Sequence, residues 1–454
     1  MNRSLNEHEL AYVFQHLELV MDTSILKDHF IYGESSDHTN KIIFIPNTEK
    51  LDVSTINELP VLFGSTESDI FSLDEHGNLI FHHDLLKSSF YLLSCYDECY
   101  VNTKRDPWGR VMFDGSIQKQ IGIIDRPIVN EYFEFIFNGI NAFLSHHNKP
   151  KITKRKLFET FGLLLSHDID VIDKYGWPHL GYKIKELLGL VKSEHSFLSL
   201  LKSTITSAFH FINPWRPNPY WNFEYLHNIE SRHNIKASYY FLDKDNTGGS
   251  RYSFDEKRLV SLFKKLKNHK HEIGIHGTTK TANDSDMLVD EISRLMDSSK
   301  VDISGGRQHR LWLDPLKTFK IHEQSGLKYD SSFGFAEREG FRNSFCLPFK
   351  PYDFENQRAI DVWQFPLMVM DVTLFSYRKL DAPNEALTSI EKLLHEVEKH
   401  NGIITLLWHN SFFDETLYPK VTTTYEQILK LIEDHKAEGI TGKEVLSKLA
   451  NMTS

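Results

Sequence analysis

Two aspartates follow an apolar run near the middle of the chain. The run 161–165 has the length of a strand, and the next five residues, 166–170, contain Asp168 and Asp170. A continuous apolar run is typical of a strand that is covered on both faces, as in a parallel sheet. Because side chains alternate along a strand, the two aspartates should project to the same side. Neighbouring carboxylates at the end of a buried strand repel each other unless a cation or a shared proton lies between them. The pair therefore suggests a site for chemistry, with two solvated loop acids as the alternative.

Further polar clusters follow strand-like runs later in the chain. They lie at 271–277, 306–312, 329–335 and 404–410, and they contain His276, Arg307 with His309, Asp330, and His409, respectively. In a barrel of parallel strands, the carboxyl ends of the strands meet at one face, where active sites lie. We therefore expect these side chains to converge on the aspartate pair. Taken singly, His409 would more often be a core histidine, and Arg307 would more often belong to a surface ion pair.

These residue types suit hydrolysis assisted by a metal ion. Carboxylate and imidazole groups are ligands for a hard-to-borderline divalent metal, and Asp170 and His276 are of that type. Hydrolysis also needs a base beside the reacting water and an acid for the leaving group. Asp168 and His409 have the chemistry for these two roles.

The chain from 157 to 454 alternates strands and helices. The predicted strands are 162–166, 237–242, 272–275, 359–364 and 403–407, and the predicted helices are 255–266, 284–296, 386–399 and 425–438. This alternation favours an α/β fold with a parallel sheet, and its length suits a distorted (β/α) barrel. A mostly helical insertion is expected at about 181–222.

Residues 1–150 predict a separate small domain of the α+β or α/β class. Its predicted helices are 6–21, 85–96 and 127–143, and its predicted strands include 42–45 and 60–63. The polar and basic stretch 148–156 is interpreted as a linker. No acid, histidine and strand end occur together in this part, so we expect it to fold apart from the barrel and to contribute no chemistry.

The composition excludes several classes of protein. The chain has 454 residues, of which 40% are hydrophobic and 25% charged, as is usual for globular proteins. The formal net charge of -10, without a basic stripe, argues against a nucleic-acid partner. Three cysteines without nearby ligand partners predict reduced thiols. No stretch has the length and apolarity of a membrane span, and the first residues lack the apolar core of a signal peptide. We therefore expect a cytoplasmic protein, of undetermined oligomeric state.

Taken together, the motifs resemble those of the polysaccharide deacetylases of carbohydrate esterase family four, the NodB-homology fold. The resemblance covers roughly residues 160–450 and rests on 166–170, 237–242, 271–277, 307–310, 329–335 and 406–410. Residues 90–135 resemble the uncharacterised domain that precedes a bacterial deacetylase-like subgroup. The resemblance implies a distorted barrel with a metal-dependent site at its rim.

The resemblance also implies a role for each matched residue. The matches are Asp168 as general base, Asp170 and His276 as metal ligands, Arg307 as the residue that holds the base, and His409 as the acid that protonates the leaving amine. Asp330 is expected to be the acid that tunes this histidine, with Asp371 as its rival.

Two positions depart from the family pattern. The family usually has a second metal histidine four residues after the first, where this chain has Lys280, and an aromatic residue at the end of the arginine motif, where it has Arg310. A catalytic metal usually has three protein ligands. Strand alternation would place His309 on the same side as Arg307. We therefore predict that His309 completes the metal shell, with a supporting or substrate-contacting role as the alternative.

The predicted function is that of a metal-dependent hydrolase that removes an N-acetyl group from a sugar of a bacterial polysaccharide or its precursor. A divalent metal, expected to be zinc, is the cofactor, and Trp312 and Trp408 are expected to contact the carbohydrate. One alternative is an inactive carbohydrate-binding or scaffold protein on the same fold, which Lys280 and Arg310 favour. The other is an amidase that acts on a non-sugar amide.

Overall fold

The computed structural model describes the chain apart from residues 36–37, 176, 194–195, 211–212, 214–216, 245–249, 381–382 and 454. The protein is of the mixed α/β class, with a small α/β N-terminal part followed by a barrel of parallel strands. Within these described ranges, no helix combines the length and the apolarity needed to cross a bilayer.

The N-terminal part is built on a four-stranded sheet. Its elements are α1 (Glu7–Leu17), β1 (Phe30–Tyr32), β2 (Ile42–Phe44), β3 (Ser54–Ile56), β4 (Leu59–Val61), β5 (Phe71–Leu73), β6 (Leu79–Phe81), α2 (Leu85–Leu93), α3 (Ile117–Gln120) and α4 (Ile128–His146). The strand order is β1-β2-β6-β5, in which only β5 runs antiparallel, and β3 and β4 form a separate hairpin. Helix α1 begins where it does because Asn6 and Glu9 form a reciprocal capping box.

The second part contains the barrel strands and their helices. Its elements are β7 (Gly162–Ile169), α5 (Trp177–Leu187), α6 (Phe197–His210), α7 (Phe223–Arg232), β8 (Ala237–Leu242), α8 (Lys257–Asn268), β9 (Glu272–Gly277), α9 (Ser285–Ser299), β10 (Gly305–Gln308), α10 (Thr318–Gln324), β11 (Tyr329–Asp330), β12 (Tyr352–Asp353), β13 (Arg358–Ala359), β14 (Trp363–Gln364), β15 (Val369–Met370), α11 (Pro383–Lys399), β16 (Ile403–Leu407), α12 (Val421–Asp434), β17 (Glu438–Gly439) and α13 (Gly442–Thr453). Parallel pairing gives the order β14-β11-β10-β9-β8-β7-β16-β15, and β17 pairs with the first two residues of β7. The predicted strand 359–364 is corrected to two pieces, because β13 pairs antiparallel with β12 whereas β14 belongs to the barrel.

The short connection from β14 to β15 shows that the sheet curls into a barrel. These two strands lie at opposite ends of the strand order. In a flat sheet they would be about 34 Å apart, at about 4.8 Å per strand. Five residue steps join Gln364 to Val369, however, and an extended chain of that length spans at most about 18 Å. The ends of the sheet must therefore approach each other. No pairing joins β14 to β15 among the described strands, so the barrel is open, and hence distorted, at this seam.

Strand β7 is buried along its whole length, as its apolar sequence predicts. Its side chains alternate between two hydrophobic clusters. Leu163 and Leu165 pack in the cluster that contains the helices α7, α8, α9, α11 and α12, whereas Leu164 packs in the other cluster together with Tyr240. This alternation fixes the register of the residues that follow at the carboxyl end of the strand.

The N-terminal part does not pack apart from the barrel, contrary to the expectation from the sequence. One hydrophobic cluster contains residues of both parts, among them Phe90, Phe133, Phe333 and Phe345. The cluster is continuous because apolar side chains of the segment 333–365 pack against α1, α2 and α4, as in the ring contacts of Tyr352 with Tyr12 and Phe90 and of Phe345 with Phe133. The stretch 1–150 is thus a distinct sequence segment that shares its core with the barrel.

A buried ion pair also joins the two parts. The guanidinium of Arg342 donates to both carboxylate oxygens of Glu98, at 2.8 and 2.6 Å, and to the carbonyl of Gly334 at 2.7 Å. Both side chains are less than 5% exposed, with values of 3% and 4%. Removal of one partner would leave a buried charge without its counter-ion, which is the costly way to break such a pair.

We expect Glu98→Ala to lower the free energy of unfolding by about 3–5 kcal/mol, because Arg342 stays buried without an anion. Urea denaturation followed by tryptophan fluorescence measures this change. Asp114→Asn is the matched control, since Asp114 pairs with Lys104 and Lys119 at the exposed surface. Its unfolding midpoint should stay close to that of the unaltered protein. Equal midpoints for the two variants would contradict the structural role of the Glu98–Arg342 pair.

The predicted helical insertion at 181–222 corresponds to α5 and α6 and the chain that follows them. Residues 194–195, 211–212 and 214–216 of this stretch lie outside the described residues. The two helices contact each other, and α6 buries Leu200, Ser203 and Ser207. The insertion follows β7 and precedes α7, so it interrupts the barrel between its strands β7 and β8.

Candidate active site

The predicted chemical side chains meet at the carboxyl rim of the barrel. Asp168 lies in β7, Asp170 follows it directly, His276 lies in β9, Arg307 lies in β10, His309 follows β10, and His409 lies two residues after β16. These four strands are parallel, and the register places His276 beside Arg307. The rim therefore brings together residues that are far apart in sequence. Asp168 and Arg307, for example, are 139 positions apart and are joined by a hydrogen bond.

Asp170, His276 and His309 form a group with the ligand types of a metal site. Their ligating atoms all lie within 4.8 Å of one another. The Oδ1 atom of Asp170 is 3.2 Å from Nε2 of His276 and 3.9 Å from Nε2 of His309. This oxygen is buried and has no hydrogen-bond partner among the described residues. One carboxylate and two imidazoles around an unsatisfied buried oxygen fit a divalent cation with three protein ligands.

The hydrogen bonds of His276 fix which of its nitrogens faces this group. Its Nδ1 lies 2.9 Å from the carbonyl oxygen of Arg307. A carbonyl can only accept, so Nδ1 carries the hydrogen and Nε2 points to the carboxylates. A second hydrogen bond of this kind is the usual way in which a protein orients a metal-binding histidine.

Burial and neighbouring charges shift the pKa values of Asp170 and His309 in directions that suit metal ligands. Burial would lower the pKa of His276, but the carboxylates of Asp168 and Asp170 outweigh it and raise that pKa. Burial alone would raise the pKa of Asp170, but the neighbouring His309, His276 and His409 outweigh it and hold that pKa well below its ordinary value. Burial lowers the pKa of His309 to about 4, although the Asp170 carboxylate opposes this effect. At neutral pH Asp170 is thus ionised and His309 neutral, which are the protonation states that bind metals.

Asp168 is held in place by a buried arginine. Nη1 of Arg307 donates to Oδ1 of Asp168 at 2.8 Å, while Nε of the same guanidinium donates to the carbonyl of Ser331 at 2.7 Å. The Oδ2 atom of Asp168 remains 3.6 Å from Nε2 of His276. Arg307 therefore anchors one carboxylate oxygen and leaves the other directed towards the centre of the site.

His409 is oriented by Asp371. The Nδ1 atom of His409 lies 2.8 Å from Oδ1 of Asp371, and the backbone N–H of His409 donates to Oδ2 of the same carboxylate at 2.6 Å. Its Nε2 lies 3.9 Å from Oδ2 of Asp170. Burial on its own would lower the pKa of His409, but the Asp371 carboxylate reverses this and raises it to about 9. His409 is therefore a protonated acid at neutral pH.

The predicted partner of His409 was wrong, and the rival residue takes its place. Asp330 accepts hydrogen bonds from the N–H and the hydroxyl of Ser332, at 2.9 and 2.6 Å, and is buried in its own turn. It lies on β11, five places from β16 in the strand order. Asp371 follows β15, which pairs directly with β16. Only the strand order decides between the two acids.

The two predicted substrate-binding tryptophans also need correction. Trp408 is fully buried and packs against Phe375 and Tyr425, because alternation after β16 turns it away from His409. Trp312 does not line the cavity at the site; its indole N–H donates to the carbonyl of Trp108 at 2.7 Å. Neither ring is placed to contact a substrate in this cavity.

A cavity of about 270 Å³ opens beside these groups. Four of the residues that line it belong to the groups described above: Asp168, Asp170, His309 and His409. The barrel part also contributes Arg310, Leu311, Met370, Val372, Tyr377 and Leu407, and the N-terminal part contributes Trp108 and Arg110. No motif in the sequence marked Trp108 or Arg110 as part of a site. The N-terminal part thus supplies side chains to the cavity, although none of the ligand, base or acid candidates comes from it.

His309→Ala should lower the affinity for zinc by at least about 100-fold, because loss of a direct ligand exceeds the 10–100-fold effect of losing a supporting contact. Titration with a competing zinc chelator measures the affinity. His8→Ala is the control, since His8 is exposed on α1 and belongs to no group of ligand residues among those described. Unchanged affinity in His309→Ala would mean that His309 only supports the site or contacts the substrate.

Residues 4–145 match the model of a family of unknown function, DUF7033. No curated protein matches the sequence significantly.

Three of the solved structures that match this chain have low sequence identity and low TM-scores. A candidate polysaccharide deacetylase from Mycobacterium smegmatis is 13% identical, with 65% of this chain and 91% of that chain covered and a TM-score of 0.41. The Puue allantoinase is 9% identical, with 64% and 90% covered and a TM-score of 0.42. A GH57 branching enzyme from Thermococcus kodakaraensis is 10% identical, with 63% and 71% covered and a TM-score of 0.34.

Proposed function

We propose that the protein is a metal-dependent hydrolase that removes an N-acetyl group from a sugar of a bacterial polysaccharide or its precursor. The main support for this proposal is that three sets of interacting side chains meet at one cavity. They are the anchored carboxylate Asp168–Arg307, the ligand group Asp170–His276–His309, and the acid pair His409–Asp371. Hydrolysis of an amide needs these three functions within reach of one carbonyl.

The ligand group can hold a divalent cation, expected to be zinc. Bound by Asp170, His276 and His309, such an ion would supply Lewis-acid chemistry to the acyl carbonyl and to the reacting water. Because Asp170 Oδ1 has no other partner among the described residues, the cation would also satisfy an oxygen that burial otherwise penalises.

The chain itself moves the protons. Asp168, with one oxygen fixed by Arg307, accepts a proton from the reacting water through its other oxygen. His409, protonated and oriented by Asp371, gives a proton from Nε2 to the leaving nitrogen. Breaking of the carbon–nitrogen bond then releases acetate and an amino sugar. The apolar side chains Leu311, Met370 and Leu407, which line the cavity, offer a surface for the methyl of the acetyl group.

Acetate release from a panel of N-acetylated sugars tests the proposal. The zinc-loaded protein should release acetate from at least one sugar and lose this activity on treatment with a chelator, with recovery when zinc is returned. Release from a non-sugar amide alone would favour the amidase alternative. A zinc-loaded protein that binds sugars without releasing acetate would favour the inactive binding protein.

A further inference from the structure

Two arginines at the mouth of the cavity differ in what holds them. Arg110 is fully engaged: its Nε donates to Oδ2 of Asp106 at 2.7 Å, Nη1 to the carbonyl of Arg310 at 2.7 Å, and Nη2 to the hydroxyl of Tyr377 at 2.8 Å. Its charge is compensated by Asp106. Arg110 therefore acts as a structural link between the N-terminal part and the barrel.

Arg310 has no such compensation. Its guanidinium lies over the ring of Trp108, 3.9 Å from the centroid. Across the part of the chain that the structure describes, no carboxylate comes within ion-pair distance of this guanidinium, and no hydrogen bond from it is found. A cation over an aromatic face keeps its charge and its N–H donors, so Arg310 can still bind an anion at the cavity.

The backbone holds Arg310 in a conformation that needs outside support. Arg310 and Leu311 both have positive φ, 63° and 54°, a backbone conformation that is unfavourable for residues other than glycine. Arg110 holds the carbonyl of Arg310, and the carbonyl of Trp108 accepts from the indole of Trp312. The turn around Trp108 thus fixes both ends of the strained segment. Strain of this kind persists at sites where position matters.

The balance of charge indicates what the free guanidinium would bind. Asp168 and Asp371 are each paired, with Arg307 and with His409. A divalent cation on Asp170 would exceed the single negative charge of that residue, and Arg310 adds a further positive charge at the same cavity. A cavity with excess positive charge favours an anionic ligand.

We propose that the substrate is an acidic N-acetylated sugar, one that carries a carboxylate or a phosphate, and that Arg310 binds this anionic group. The planar guanidinium matches both anions through paired N–H donors, and the exposed face of Trp108 suits the apolar side of a sugar ring. Trp108 is 54% exposed, so its ring is open to such contact. That the acidic sugar is a substrate rests on the proposed function, whereas the binding of its anionic group by Arg310 does not.

Calorimetric titration of the zinc-loaded protein tests the inference. The probes are N-acetylglucosamine, its 6-carboxylate (the uronic acid), its 6-phosphate and its 1-phosphate. At least one acidic sugar should bind about 10-fold or more tightly than the neutral one, as one charge-assisted hydrogen bond provides. Comparison of the carboxylate with the two phosphates identifies the anion. Equal affinity for neutral and acidic sugars would overturn the inference.

Two variants assign the preference to Arg310 and exclude an effect of the metal alone. Arg310→Gln should remove the preference for the acidic sugar, whereas Arg310→Lys should keep part of it, because lysine retains the charge without the fork of donors. Arg232→Gln is the control, since Arg232 is exposed on α7. A preference that survives in Arg310→Gln would overturn the assignment.

Binding and acetate release separate this inference from the proposed function. Arg310-dependent binding of an acidic sugar without acetate release would support the anion site and contradict the hydrolase. Equal acetate release from acidic and neutral sugars would support the hydrolase and contradict the acidic substrate.

Discussion

Asp170→Ala should abolish stoichiometric zinc binding, whereas Asp168→Asn should retain zinc and lower kcat by about 10²–10⁴-fold. The two acids are two residues apart and face one site, yet their contacts differ. Oδ1 of Asp170 lies against the imidazoles of His276 and His309, while Oδ1 of Asp168 is bound by Arg307. Asparagine at 168 still offers Arg307 an acceptor, so the site should keep its shape and lose only the base.

Metal content of the purified variants and acetate release measure the two effects separately. Asp434→Asn serves as the control for removal of one carboxylate, since Asp434 pairs with Lys430 on the surface of α12. It should change neither quantity. Equal loss of zinc in Asp170→Ala and Asp168→Asn would refute the division of labour between the two aspartates.

The second large effect concerns the alkaline limb of the pH–rate profile. His409 acts as an acid only while protonated, and the pKa of this group is raised to about 9, since Asp371 outweighs the effect of burial. Activity should therefore be retained below that pH and fall as the pH rises through it. His409→Gln should lower kcat by about 10²–10⁴-fold across the range, because the acid is lost.

Asp371→Asn should move the alkaline limb to lower pH by about one to three units, the usual effect of a nearby opposite charge. Activity measured from pH 5 to 11 locates the limb. Asp330→Asn is the matched control: it also removes a buried carboxylate, but one that binds Ser332 and does not touch His409. An unchanged limb in Asp371→Asn, or an equal shift in both variants, would contradict the pairing of His409 with Asp371.

Much of the barrel follows from local patterns in the sequence. The predicted strands 237–242 and 403–407 coincide with β8 and β16, and the predicted helix 284–296 corresponds to α9 (Ser285–Ser299). These elements have strong periodic patterns and buried faces, so the sequence signal is clear. The strands β10, β11 and β15 were not predicted as strands, because they are only two to four residues long, and β10 and β11 also contain glycine or polar residues.

For the site, the sequence determined which side chains could do chemistry and that they stand at strand ends. Alternation after the apolar run correctly placed Asp168 and Asp170 together and turned His167 away, where it contacts Glu230. The same reasoning brought His309 to the group of Asp170 and His276. These inferences hold because the side-chain period of a strand is local and does not depend on distant parts of the chain.

Only the tertiary structure decided which distant residues became neighbours. The strand order set β15 beside β16, and thereby gave His409 the carboxylate of Asp371 in place of Asp330. Docking of the N-terminal part placed Trp108 and Arg110 at the cavity, where Arg310 stacks on the indole ring. Strand pairing and the packing of one part against another depend on the whole chain, because many sequence-distant apolar contacts determine them together, and no short motif encodes them.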